Sequence, residues 1–116
     1  MDSPISLQDI EKIASTHLSA VEKHHLRLLA HCLACFQEMQ KERSIQSLPT
    51  ENIRLEWLHQ QQKFAKDEGF IHLLNEQFSS AANQLSQISQ TLNIPPLELT
   101  LDDLIQFSLE SSNVQL

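Results

Sequence analysis

Three observations predict an all-α fold. Six large apolar residues, Trp57, Phe64, Ile71, Phe78, Leu85 and Leu92, recur at every seventh position without a miss, the spacing of a helix seam that faces a partner along its length. Leu, Gln, Glu, Ser and Ala dominate a chain that holds a single glycine, a composition that favours helix over strand. Helix start and stop signals punctuate the rest.

Ser6 opens the first helix. It stands at the N-cap with Asp9 three residues on, and Ile5 with Ile10 makes the flanking hydrophobic staple. A broad apolar stripe follows: Leu7, Ile10, Ile13, Ala14, Leu18, Val21, Leu28, Leu29, Cys32, Cys35, Phe36 and Met39, with Glu11, Lys23, Arg27, Gln37 and Lys41 on the opposite side. This reads as a helix over about residues 6–43. Ser19 and Glu22 offer a second capping box beside the weak run Ser15-Thr16-His17, so a break near 16–19 stays open as an alternative.

Ser44 to Thr50 is the loop, with Pro49 ending one element and Thr50 capping the next. A connection this short makes the neighbouring helices antiparallel. The heptad then predicts one helix through 51–92, carried across Gly69 because its phase is unchanged there and because the acids of Lys66-Asp67-Glu68 suit a helix C-terminus poorly, with a kink or break at Gly69 as the alternative. Asn93 fits the left-handed position after the last turn, and Pro95-Pro96 forbids continuation. Thr100 caps a short C-terminal helix over 101–110, with Asp103 at its third position and Leu99 stapled to Leu104; residues 111–116 are expected to fray.

A single domain follows from 116 residues, and 41% hydrophobic content suffices for a core without disulfide or metal. Two long helices bury only one stripe each, so dimerisation is expected to complete a helical bundle. A formal charge of −7, with no stripe of Lys and Arg, excludes nucleic acid as the expected partner. The longest apolar run, Leu26 to Phe36, is interrupted by Arg27 and His31 and is too short to span a bilayer. The start, Met1-Asp2-Ser3-Pro4, lacks the pattern of a signal peptide. The expectation is a cytoplasmic, reducing compartment with free thiols and no membrane partner.

Chemistry is less legible. Cys32 and Cys35 form a Cys-x-x-Cys with His31 beside it, one helical turn apart, able to reach a common zinc or iron. Their place on the apolar stripe, away from a helix N-terminus, favours the reading of small core hydrophobes. Glu22-x-x-His25 and Glu56-x-x-His59 each put a carboxylate and an imidazole on one helical face, as di-iron four-helix proteins do, but no further glutamates stand at matching depth. His17, His24 and His31 form a ladder too widely spaced to share an ion. No catalytic residue is expected, since nothing supplies a nucleophile with a base and an oxyanion hole. Trp57 reads as core or as an interface anchor.

The function these features favour is that of a cytosolic, homo-oligomeric helical interaction protein, an adaptor, assembly factor or regulator working through a helix face or groove without a cofactor. Its partners are itself, as a homodimer, and another protein. The alternative is a metal-binding or thiol-redox bundle built on Cys32 and Cys35.

Overall fold

The computed structural model describes residues 6–41, 47–61, 63 and 66–114, the last four by their backbone. Five α-helices are present among them: α1 (Leu7–Ala14), α2 (Ala20–Gln40), α3 (Glu51–His59), α4 (Glu68–Leu92) and α5 (Leu101–Val114), with a 3₁₀ turn at Pro96–Glu98. The fold is all-α, and no strand occurs among the described residues.

Each helix begins where a side chain satisfies its first free N–H groups. Ser6 Oγ accepts from Asp9 N–H at 3.1 Å while the Asp9 carboxylate accepts from Ser6 N–H at 3.1 Å. Ser19 and Glu22 repeat the exchange at 3.1 and 3.2 Å, as do Thr100 and Asp103 at 3.2 and 2.9 Å. Thr50 caps α3 and Asp67 caps α4 through single bonds to Ile53 N–H and Phe70 N–H. At the far end of α4, Asn93 takes φ 58° and ψ 43°, and Ile94 N–H returns to Ser89 O at 3.1 Å, which closes the helix as the sequence predicts.

The second capping box is therefore used: α1 and α2 are separate helices, and the break near 16–19 is real. That break resets the phase of the apolar stripe. Leu26, Leu29, Ala30, Leu33 and Phe36 form the inward face of α2, whereas Val21 and Leu28, counted above among the inward residues, are 79% and 41% exposed. Leu7 is likewise 72% exposed.

The continuous helix through 51–92 is corrected by the structure. α3 ends at His59 and α4 begins at Glu68. The acids of Lys66-Asp67-Glu68, held above to be misplaced at a helix C-terminus, serve a helix N-terminus, where the dipole favours them and Asp67 Oδ1 accepts from Phe70 N–H at 3.0 Å. Gly69 is then the second residue of α4 rather than a helix interior. A helix of that full span would run about 60 Å, longer than the 45 Å maximum extent of the molecule. The C-terminal helix departs in the other direction, continuing to Val114 where a frayed tail is expected from 111.

α2 and α4 lie antiparallel at the centre: His25 meets Gln84, and Cys32, one helical stretch later, lies beside Gln77. α1 and α5 pack on α2, and α3 packs on α4 and α2. Phe36, Leu26, Ile13, Leu58, Ile71, Leu85 and Leu104 are the fully buried centres of the core. Phe78 joins the helices, its ring edge-on to Phe36 at 5.3 Å and to Trp57 at 6.3 Å, the geometry aromatic quadrupoles prefer.

Candidate interaction surface

The heptad residues divide between core and boundary. Ile71, Phe78 and Leu85 are buried, Trp57 and Leu92 are half-buried, and Phe64 lies outside the described residues. On α3 the fully inward residue is Leu58, one position past Trp57, and Arg54, one turn before it, is only 8% exposed. A seam counted through Trp57 misses this, because the break between α3 and α4 ends the common phase.

Arg54 is the feature that sequence reasoning did not find. Its guanidinium donates to Ser79 Oγ at 2.9 Å, to Asn75 Oδ1 at 3.4 Å and to Pro49 O at 3.5 Å. Asn75, itself buried, donates to Glu51 Oε1 at 3.2 Å. Burial draws the Arg54 pKa down and Glu51 draws it back up. α3 is thus fastened to α4 by directional polar bonds around the Leu58 contact. The one available signal was spacing, since Arg54 and Leu58 share a helix face at i, i+4.

Cys32 and Cys35 are buried free thiols. Burial pushes the Cys32 thiol up to about 11 and Cys35 up to about 12, the latter with added repulsion from Cys32 and Glu38. Thiols so raised are poor nucleophiles at neutral pH. His31 is exposed on the outer side of the same helix. His25 is exposed and bonds Gln84, while Glu22 caps Ser19. His59 turns to the Leu55 carbonyl at 2.7 Å and to Glu68 at 3.1 Å, and Glu56 lines a cavity with Trp57. Among the described residues, no three His, Cys, Asp or Glu side chains converge where they would share a metal ion.

What the fold offers outward is helix surface. Val21, His25 and Leu28 follow one another at helical spacing on α2 and lead to the buried Cys32, as Phe70, Leu73, Gln77, Ser80 and Gln84 follow one another on α4. Between them runs a shallow groove of about 120 Å³ lined by His25, Leu28, Leu29, Cys32, Gln77, Ser80, Ala81 and Gln84, with no charged residue in its walls. Leu73 and Phe70 extend the α4 row, 60% and 42% exposed. A second cavity, of about 500 Å³, opens between the end of α2 and α3, with Glu38, Lys41 and Glu56 around Met39, Ile53 and Trp57. None of the described helices is long and apolar enough to cross a membrane.

A compact α-bundle that leaves large apolar residues on two neighbouring helix faces belongs to the class of small helical proteins that work through contact with other proteins. The family agrees: this chain belongs to the family described as NDH complex assembly factor CRR9, whose family model matches residues 5–115. That span takes in all five helices. No curated protein and no solved structure matches the chain.

Proposed function

We propose that this chain is a non-enzymatic assembly factor of the NDH complex, which holds a protein component of that complex on its exposed helix faces before the component is incorporated. The family match over residues 5–115 carries this reading. Supporting it are the large apolar residues left outward on two helices, Val21 and Leu28 on α2 and Phe70 and Leu73 on α4. Self-association is part of the proposal: in the absence of the component, two copies form a homodimer that covers the α4 row of Phe70 and Leu73. The compartment proposed is the cytoplasm.

The test is deletion of the gene followed by native-gel quantification of the NDH complex. Loss of the complex with its subunits still synthesised supports an assembly role; an undiminished complex defeats it. Sedimentation of the purified chain addresses the dimer, which is excluded if a 13.3 kDa monomer persists at micromolar concentration. Leu73→Asp should then leave a folded monomer.

A further inference from the structure

Charge is not spread evenly over this chain. From Lys23 to Gln37 there is no Asp or Glu, and two fixed cations, Lys23 and Arg27, give that stretch +2 in a chain of −7, leaving −9 on the remainder. Three histidines, His24, His25 and His31, fall within the same stretch and add N–H donors whether neutral or charged. The stretch is the middle of α2.

Its outward side has a definite pattern. Val21, His24, Leu28 and His31 follow the three-four-three spacing of a coiled-coil seam, and Arg27 borders it. All five are exposed, while Leu26, Ala30 and Leu33 on the opposite side of the helix are buried. Among the described residues, the side chains of His24, Arg27 and His31 take part in no hydrogen bond or ion pair. The remaining neighbour, Lys23, is turned away to the Ala14 carbonyl at 2.9 Å.

We propose that this face of α2 receives an acidic amphipathic helix of the protein component, with apolar residues set against Val21 and Leu28 and carboxylates against Arg27, His24 and His31. The inference rests on the assembly-factor reading above and names the chemistry of its partner. A helix is the occupant because two apolar contacts seven residues apart on a straight ridge match the repeat of another helix. Acidity follows from complementarity, since a basic helix would meet Arg27 with like charge. A second copy of this chain is a poor occupant: twofold pairing would bring Arg27 and the histidines against their own counterparts. Nucleic acid would find too few cations for a phosphate track and would leave Val21 and Leu28 in water.

The experiment uses the full chain and a fluorescein-labelled synthetic helix of about four turns, with leucine at the seam positions and glutamate flanking them, beside a lysine-flanked version and an oligothymidine strand. Anisotropy should show the glutamate helix bound about tenfold more tightly than the lysine helix. Arg27→Glu should reverse that order and Leu28→Asp should abolish binding. Both substitutions lie on the solvent side, so circular dichroism should show unchanged melting. Equal binding of the two helices, binding that survives Leu28→Asp, preference for the oligothymidine, or a dimer dissolved by Leu28→Asp would each overturn the proposal. Failure here is separable from failure of the parent reading: a Leu28→Asp strain that still builds the NDH complex, where the deletion strain does not, removes this face and leaves the assembly role standing.

Discussion

Arg54 on α3 and Ser79 on α4 meet at 2.9 Å, Nη2–H donating to Oγ, and this is the shortest link between a buried guanidinium and a helix that gives it no carboxylate. Asn75 relays the charge to Glu51 instead. Removing the cation leaves Asn75 Oδ1 and the Pro49 carbonyl short of a donor, so Arg54→Ala should cost about 2 kcal/mol in urea unfolding. Arg54→Met should cost less, because an apolar stem of similar length fills the space without needing partners. Arg54→Lys should not restore stability, as one ammonium cannot serve three acceptors in the guanidinium plane. Equal losses for Met and Ala would show that packing, not the network, holds α3.

Gly69 gives a prediction of opposite sign. It lies in the first turn of α4 without a positive φ, and an added Cβ would meet only Asp67 Oδ1 at 3.7 Å. Gly69→Ala should therefore stabilise the chain by up to about 1 kcal/mol, through lower entropy of the unfolded state and better helix propensity. A lowered urea midpoint would contradict this.

The two thiols should be slow toward a disulfide reagent in the native chain and fast in denaturant. Their raised pKa values also set a pH dependence: the folded state keeps protons at Cys32 and Cys35 that the unfolded chain gives up near the ordinary value of 9.0. Stability is whole below pH 9 and falls as pH rises toward about 11 and about 12. Replacing both by alanine should cost about 1 to 2 kcal/mol by lost packing and flatten that alkaline decline. A native chain that reacts as fast as the denatured one would place these thiols outside the core.

His59 should titrate above 6.5, held protonated by the Leu55 carbonyl first and by Glu68 second. Because its folded pKa is raised, its contribution is present below the unfolded value and disappears as pH climbs through the folded one. The pair spans α3 and α4 in full solvent, so the readout is the imidazole resonance and not stability. Glu68→Gln should move the midpoint down; an unmoved midpoint would mean that Glu68 does not reach the ring.

Local grammar was the legible part of this sequence. Ser6, Ser19, Thr50, Asn93 and Thr100 each stand at the terminus their chemistry suits, since caps depend on residues three or four apart. The seam read from Trp57 to Leu92 failed at its middle for the complementary reason: a seven-residue spacing can run on in the sequence across the eight residues that separate α3 from α4, so periodicity alone does not report continuity. Leu28 was placed inward by counting through the Ser15–Ser19 break, and its exposure, on which the outward face of α2 depends, appears only once α2 has its own phase. Arg54 was illegible because burial of a cation is decided by Asn75 and Ser79, more than twenty residues away.

The reciprocal caps at Ser6, Ser19 and Thr100 bear on time as well as place. Each resolves the costly first turn of its helix with residues already adjacent in the chain, and α1 against α2, α2 against α3 and α3 against α4 are contacts between successive elements. The pairings of α2 with α4 and with α5 reach further along the chain, and they form only once the intervening segments have closed. The first turns can thus form as the chain emerges, but a newly made copy is finished only once its C-terminal helix is free to return to α2.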